Sequence, residues 1–331
     1  MNVTIKDVAK AANVSVATVS RVLNGSASVS KESTQRVNDA IRDLKYSPNF
    51  LGRNLRKCVT NRILVIQPSS DHSLYAKIIA GMSDEAEKVG FDIVTAISND
   101  SRESEKRQMD MLYNRTVDGA VLLGTSLDKD TINSIAENFN IALCCESVHG
   151  ADVLTVVVDD EAGGYDATTV LIKKGHTKIA MISVQGDVIS SGLREKGYKK
   201  ALKDHGIEPR EEYIWHGEYE YENAAAATKY FLSMPDRPTA IFAVSDNLAA
   251  GVIKTASQMG IKVGKELAVI GFDGITWCER FVPSISSIAQ PCEEMGRLVA
   301  QKLIANITEG ANDKGRYTLK HSLVLRESTG D

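Results

Sequence analysis

The chain has 331 residues, enough for two or three domains of ordinary size, and its 43% apolar and 25% charged residues exclude a fibrous or disordered protein. Residues 1–60 hold ten Lys or Arg against four Asp or Glu, a net charge of +6, so the rest of the chain carries −10. A basic segment ahead of an acidic body is typical of a segment that binds nucleic acid; a solvated basic surface is the alternative.

The first 46 residues have the pattern of a helix-turn-helix unit. Thr4 is a suitable N-cap for a first helix, and Asn13 tolerates the left-handed conformation of a tight turn. Ser15 is a second N-cap, opening a helix over 16–23, and Ser30 caps a third helix over 31–44. Two short helices joined by a turn of about three residues allow the second helix to lie in a major groove.

The second of these helices carries side chains suited to reading DNA. Arg21 can donate two hydrogen bonds to guanine, and Val16 or Ala17 can contact a thymine methyl group. Small polar side chains that can hold phosphates are Thr18, Ser20 and Asn24. A small helical bundle with a chance basic surface is the alternative.

A basic linker, "YSPNFLGRNLRK", follows at residues 46–57. Pro48 can begin a short helix, but a helix that contains Gly52 is too short to be stable alone in water. A helix that forms only on DNA would place Leu55 where it can wedge between base steps of the minor groove. The pattern by itself also fits a plain linker.

These segments, "TIKDVAKAANVSVATVSRVLNG", "VSKESTQRV" and "YSPNFLGRNLRK", strongly resemble the head and hinge of the LacI/GalR family of bacterial transcription regulators. The resemblance implies a symmetric dimer on a pseudo-palindromic operator, with paired hinge helices whose leucines, Leu55 here, meet at the operator centre. The residues then expected to contact DNA are Thr4, Ser15, Val16, Ala17, Thr18, Ser20, Arg21, Asn24, Tyr46, Asn49, Arg53 and Leu55.

From residue 61 onward, short β-rich runs alternate with amphipathic helical stretches. Buried parallel strands are predicted at 62–68, 91–98, 118–124, 141–146, 178–184, 240–245 and 267–273. Helices are predicted at 74–89, 102–115, 129–138, 161–174, 190–205, 222–234, 247–259 and 292–307, and a final strand-like stretch at 317–328. Two successive series of this kind predict two doubly wound subdomains with a ligand cleft between them.

Residues just after the strand ends are the candidate ligand contacts, because open α/β sheets bind ligands beyond the carboxyl ends of their strands. An arginine, several carboxylates and aromatic faces suit a polyhydroxylated ligand such as a sugar. Helix capping is the alternative for Asp128, Asp160 and Asp246. The candidates are Ser69, Asp71, Tyr75, Thr125, Ser126, Asp159, Asp160, Ser190, Arg194, Tyr219, Ser245, Asp246 and Asp273.

Segments such as "LREKGYKKAL" and "PTAIFAVSDNLAAGVIKTASQMGIKVGKELAVIGFD" resemble the regulatory core of the same family, which is similar to periplasmic sugar-binding proteins. The resemblance implies effector contacts at Arg194, Asp246 and Asp273, and at Ser190 and Tyr219 in some members. Leu74–Tyr75 and Asp159–Asp160 depart from the common pattern. The expected effector set is Asp71, Tyr75, Thr125, Asp159, Ser190, Arg194, Tyr219, Asp246 and Asp273.

The domain prediction is a helix-turn-helix head at 1–46, a hinge helix and linker at 47–60, and an α/β periplasmic-binding-protein-like core at 61–331. Within the core, subdomain N takes about 61–160 and 291–320, and subdomain C takes about 161–290 and 321–331. The predicted function is that of a repressor that binds operator DNA under the control of a sugar, sugar derivative or sugar phosphate. Inducer and corepressor modes both stay open, and some relatives use a phosphorylated protein as corepressor.

Two other classes are weighed against this interpretation. A periplasmic-type sugar-binding protein would need an export segment, and the sequence shows neither such a segment nor a run of about 20 apolar residues, so we expect a cytoplasmic protein. An α/β enzyme would need a catalytic constellation, and no HExxH, P-loop or GxGxxG pattern is present. We therefore expect no catalytic residues, cofactor or metal, and five reduced cysteines: Cys58, Cys144, Cys145, Cys278 and Cys292.

Overall fold

The computed structural model describes residues 3–23, 29–46, 59–69, 73–186 and 188–331. The chain divides into two compact units with the boundary between Val59 and Thr60. The predicted linker helix with Asn49, Arg53 and Leu55 lies outside the described residues, as do Asn24, Cys58 and Asp71.

The first unit is built from three helices around a small apolar core. Val8, Val19 and Val37, one from each helix, are fully buried and belong to one cluster. Three buried valines are a modest core, which suits a unit of this size. The helices are α1 (Ile5–Ala11), α2 (Val16–Leu23) and α3 (Lys31–Asp43).

The helix starts in this unit follow from local hydrogen bonds, and the predicted caps are confirmed. The Thr4 backbone N donates to Asp7 Oδ2 at 2.8 Å, and the Thr18 backbone N donates to Ser15 Oγ at 3.1 Å. Asn13 has φ +52, the left-handed conformation expected of the turn residue. These contacts set where α1 and α2 begin.

The second unit contains two six-stranded sheets. The first has the order β11-β5-β4-β3-β1-β2 with parallel pairs throughout; the second has the order β12-β10-β9-β8-β6-β7, parallel except for β10 and β12. The predicted fold class is confirmed. The strands are β1 (Arg62–Gln67), β2 (Asp92–Ile97), β3 (Gly119–Leu122), β4 (Asn140–Cys144), β5 (Leu154–Val158), β6 (Ile179–Val184), β7 (Ile214–Gly217), β8 (Ala240–Ala243), β9 (Ala268–Asp273), β10 (Ser286–Ala289), β11 (Arg316–Leu319) and β12 (Ser322–Val324).

Helices cover both faces of each sheet. In β1, Ile63 and Val65 belong to one apolar cluster and Leu64 and Ile66 to another, as the alternation of side chains along a strand requires. The helices are α4 (Ser73–Lys88), α5 (Arg102–Tyr113), α6 (Lys129–Ala136), α7 (Asp160–Lys173), α8 (Ile189–Asp204), α9 (Tyr221–Ser233), α10 (Asp246–Gln258) and α11 (Cys292–Glu309).

Two strand predictions need correction. The stretch 317–328 is not one strand: β11 joins the first sheet and β12 the second, and a short 3-10 helix (Glu327–Thr329) follows. The stretch 91–98 is not buried, because β2 lies at the edge of its sheet and Asp92 and Ile97 are exposed. The cysteine prediction is confirmed for the four described cysteines, which are free and buried.

Reciprocal glycines let two pairs of helices touch backbone to backbone. A Cβ on Gly164 of α7 would lie 2.2 Å from the Arg194 carbonyl O, and one on Gly197 of α8 would lie 2.1 Å from the Glu161 carbonyl O. Helices α4 and α11 meet in the same way at Gly81 and Gly296. The first of these crossings brings the start of α7 against the middle of α8.

The chain passes between the two sheets at three places: between β5 and α7, between β10 and α11, and between β11 and β12. Helix α11 packs against α4 and strands of the first sheet, whereas α7 packs against α8 and strands of the second. Each sheet with its helices therefore contains residues that are distant in sequence.

Candidate functional site

Helix α2 presents a mixed surface on the first unit. Val16 is 42% exposed, and Ala17 and Arg21 are also exposed. The Ser15 and Thr18 hydroxyls lie 2.9 Å apart and belong to the cap of α2. An exposed aliphatic side chain beside a guanidinium is a combination that can contact base edges in a major groove.

The other predicted DNA-contacting residues are placed as follows. Thr4 is exposed at the start of α1, and Ser20 is half-buried on α2. Tyr46 packs partly buried against the core of the first unit. Asn24, Asn49, Arg53 and Leu55 lie outside the described residues.

In the second unit, Arg194 on α8 is the centre of a buried polar cluster. Its Nε donates to Asp160 Oδ1 at 2.8 Å, its Nη1 donates to the Val244 carbonyl O at 2.5 Å, and Nη1 lies 3.7 Å from Asp273 Oδ1. The guanidinium carbon lies 3.6 Å from the centroid of the Phe272 ring. Burial opposes the charge, but the carboxylates of Asp160 and Asp273 outweigh it and raise the pKa of Arg194.

Burial raises the pKa of each carboxyl group in this cluster, in Asp160, Asp246 and Asp273 alike. Asp246 Oδ2 accepts from the Ile275 backbone N at 2.9 Å, while Asp246 Oδ1 is buried without a described hydrogen-bond partner. Gln290 Nε2 donates to Asp273 Oδ1 at 2.8 Å, and Gln290 Oε1 is likewise without a partner. The cluster thus has acceptor atoms to spare.

The capping alternative is settled residue by residue. Asp128 caps α6, accepting from the Thr131 backbone N at 2.8 Å. Asp160 and Asp246 are not caps: the N-cap of α7 is Asp159 and that of α10 is Ser245. Asp159 was predicted to contact the ligand. It is exposed, and its Oδ1 accepts a hydrogen bond from the Ala162 backbone N at 2.9 Å. Its neighbour Asp160 instead accepts a hydrogen bond from Arg194.

Two hydrogen-bonded contacts join the two sheets across the cleft. Ser190, at the start of α8, donates from its Oγ and its backbone N to the carboxylate of Glu146, which follows β4. Lys77 Nζ on α4 donates to the Gly274 carbonyl O at 2.9 Å. Each contact has one partner on the first sheet's side and one on the second's.

Two tyrosines complete the cleft. Burial first, and then the nearby carboxyl groups of Glu146 and Asp273, raise the pKa of Tyr75. Burial also raises the pKa of Tyr219, against the opposing effect of Arg194. Phenols, carboxylates and a guanidinium therefore converge between the sheets. This is the chemistry of a site for a small polar molecule with apolar C–H faces.

The structure brings together most, but not all, of the predicted effector residues. Tyr75, Ser190, Arg194, Tyr219, Asp246 and Asp273 belong to the cleft. Thr125 does not contact them; it donates to Glu105, whose other oxygen accepts from the Ser126 backbone N at 2.9 Å. Asp71 lies outside the described residues.

Glu146, Lys77 and Gln290 are the cleft residues that the sequence analysis missed. Glu146 lies two residues after the end of β4, and Gln290 directly follows β10, so the rule that selected the other candidates applies to both. Among the described residues, no group of three or more His, Cys, Asp or Glu side chains could hold a metal ion. In the same residues, no helix is long and apolar enough to cross a membrane.

Comparison with known proteins adds two family matches. Residues 4–49 match bacterial regulatory proteins of the lacI family, and residues 168–329 match a periplasmic binding protein-like domain. The chain is 35% identical over 327 residues to the NTD biosynthesis operon regulator NtdR of Bacillus subtilis (strain 168), covering 98% of this chain and 99% of that protein.

Solved structures are similar over the same length. A lac repressor dimer bound to operator and the anti-inducer ONPF has a TM-score of 0.89 at 25% identity, covering 99% of both chains. A complex of the transcriptional regulator CelR with cellobiose has a TM-score of 0.74 at 31% identity, covering 99% of this chain and 100% of that one.

Proposed function

The chain belongs to the lacI family of bacterial regulatory proteins and is a DNA-binding transcription regulator, and from this premise we propose that it is a repressor whose dimer binds a pseudo-palindromic operator. The observation that carries the proposal is α2, with Ser15 capping a helix that exposes Val16 and Arg21 on a basic unit. The lac repressor, to which this chain is similar over its length, binds operator as a dimer.

The effector of this regulator is a small polyhydroxylated molecule, a sugar or sugar derivative, held between the two sheets. The support is the cluster of Arg194, Asp273 and Asp246 facing Tyr75 and Tyr219. The similar regulator CelR forms a complex with cellobiose. Residues 1–46 form the DNA-binding domain in this proposal, residues 47–60 the hinge, and residues 61–331 the sensor and dimerisation core.

The contacts across the cleft give the ligand a means of control. A ligand shifts the balance between a closed and an open cleft only by binding one of them more tightly. The Glu146–Ser190 and Lys77–Gly274 contacts exist only while the two sheets are close, so a ligand that keeps or breaks them changes the separation of the sheets. A protein corepressor is not needed for this proposal.

The test is selection of genomic DNA fragments by the purified full chain, alone and with a panel of neutral sugars, amino sugars and sugar phosphates. A recovered palindrome whose binding changes with one compound supports the proposal and identifies both partners. DNA binding of equal strength to all fragments under every condition would overturn it, because nonspecific affinity comes from phosphate contacts alone.

A further inference from the structure

The cleft holds more carboxylate than its cations can pair. Among the described residues, its acids are Glu146, Asp160, Asp246 and Asp273, its cations are Arg194 and Lys77, and Arg316 acts on Asp160 through space. Arg194 donates hydrogen bonds to Asp160 and to the Val244 carbonyl O, and its Nη1 lies 3.7 Å from Asp273 Oδ1. Lys77 donates to the Gly274 carbonyl O.

Of these acids, Glu146 has the least positive charge beside it to balance its own negative charge. Its described hydrogen bonds both come from Ser190, an uncharged residue. Arg194 acts on it through space, against the opposing charge of Asp160, and burial raises the pKa of Glu146. A buried carboxylate without a cationic partner is unfavourable, so a positive charge from outside would be stabilised here.

A second observation points the same way. Gln290 is 7% exposed, yet its Oε1 has no hydrogen-bond partner among the described residues. The Gln290 amide lies against Asp273 through its Nε2, within the Arg194 cluster. Gln290 Oε1 is an acceptor, and a buried acceptor is satisfied only by a donor. The ligand that completes this site therefore supplies N–H or O–H groups.

We propose that the effector carries a protonated amine on a polyhydroxylated frame, as in an amino sugar, and that Glu146 is the carboxylate that pairs with the ammonium group. An ammonium offers three donors and no acceptor, which matches the acceptor-rich cleft. Tyr75 and Tyr219 lie near Glu146, and an aromatic ring can pack against the C–H face of a sugar. A sugar phosphate is repelled by the same acids. This inference rests on the proposed function and narrows its effector class.

The experiment is isothermal titration calorimetry on the full chain with matched sets of three compounds: an amino sugar, its hydroxyl counterpart and its N-acetyl counterpart. The first set is glucosamine, glucose and N-acetylglucosamine, and the galactose, mannose and disaccharide equivalents follow. Glucose 6-phosphate is titrated as well. The expected result is that at least one amine binds about tenfold tighter or more than its hydroxyl and N-acetyl counterparts, a difference of about 1.4 kcal/mol. Tighter binding of a neutral or phosphorylated compound, or no binding by any amine in the panel, overturns the inference.

Glu146→Gln tests the residue assignment. The amide oxygen can still accept from Ser190, but the charge is lost, so the amine-over-hydroxyl preference should fall towards unity while the affinity for the neutral counterpart is kept. Glu87→Gln, at an exposed site on α4, is the control and should leave the preference unchanged. An undiminished preference in Glu146→Gln excludes the pairing. The ligand comparison on the parent chain stands whether or not this variant folds.

Operator binding is measured in parallel by fluorescence anisotropy. If the chain binds a palindromic operator but responds only to a neutral compound, the proposed function is supported and this inference is wrong. If the chain binds no operator, with or without an amine, the proposed function itself is wrong.

Discussion

Asp160 and Arg194 form a buried ion pair, with Oδ1 and Nε 2.8 Å apart and both side chains about 5% exposed, although they lie on different helices. Asp160 is the first residue of α7, and Arg194 lies on α8 one turn before Gly197. The glycine contacts between these helices hold the two backbones close enough for the pair to form. The position of the cleft's only described arginine is thus set by helix packing.

We expect Arg194→Ala to lower the free energy of unfolding by about 3–5 kcal/mol, because it leaves the buried Asp160 and Asp273 without their cation. Urea denaturation followed by circular dichroism measures the change. Arg297→Ala is the matched control: Arg297 pairs with Glu293 on the surface of α11, and its loss should cost less than about 1 kcal/mol. Equal losses in the two variants would contradict a buried pair.

The close approach of α7 and α8 predicts opposite effects for two glycines of α8. A methyl group at Gly197 would lie 2.1 Å from the Glu161 carbonyl O, so Gly197→Ala must push the helices apart and lower both the unfolding free energy and ligand affinity. At Gly192 a Cβ meets nothing within 4 Å, so Gly192→Ala should stabilise the protein by up to about 1 kcal/mol. Thermal denaturation compares them, and destabilisation by Gly192→Ala to the same extent would refute the packing argument.

The buried carboxyl groups predict how stability depends on pH. Burial raises the folded-state pKa of Glu146, Asp160, Asp246 and Asp273, so the folded chain binds more protons than the unfolded chain above about pH 4. Their contribution to stability therefore falls as the pH rises from about 4 through the raised folded-state values.

Asp273→Asn isolates one of these contributions. The amide does not ionise, so the unfolding free energy of the variant relative to the parent should rise with pH above about 4. Urea titrations at a series of pH values measure it, with the exposed Asp204→Asn as control. A constant difference across the series would mean that Asp273 has the same pKa in the folded and unfolded chain.

Arg21→Ala should remove preference for the cognate operator while keeping much of the salt-sensitive binding to unrelated DNA. A bidentate contact to guanine is worth about 1–3 kcal/mol of discrimination, whereas phosphate contacts are independent of sequence. Fluorescence anisotropy with operator and scrambled duplexes at two salt concentrations separates the two effects. Lys31→Ala, an exposed charge at the start of α3, is the control. Equal weakening on both duplexes would show that Arg21 does not read bases.

Most strands that are continuous apolar runs were predicted, although β5 (LTVVV) was missed, whereas the polar or short strands β7 and β10 were not predicted. β7 has the sequence IWHG and β10 the sequence SSIA. Ser286 and Ser287 of β10 are fully buried, because polar partners replace apolar packing: the Ser286 backbone N donates to Ser328 Oγ at 2.8 Å. That partner lies more than 40 residues along the chain, so local periodicity does not report it.

The position of the cleft at the strand ends was predictable, but which of two neighbouring carboxylates faces the cleft was not. Asp246 begins α10 and Asp273 ends β9, as the strand-end rule expects, whereas Arg194 lies in the second turn of α8 and was also indicated by the family resemblance. Whether Asp159 or Asp160 faces the cleft depends on which of them caps α7, and adjacent aspartates are equivalent to any pattern rule. Glu146 follows two buried cysteines, and only the three-dimensional structure places it opposite Ser190.

The three passages of the chain between the sheets determine when each sheet can be completed during synthesis. Strands β11 and β12 lie after residue 315, and each forms the outer edge of a different sheet. Until the ribosome has passed them, β5 and β10 each present an open hydrogen-bonding edge, and open edges are where partly synthesised chains pair wrongly with one another. A premature stop before residue 316 would therefore leave both sheets with an open edge and prone to aggregation, rather than one complete sheet and one incomplete sheet.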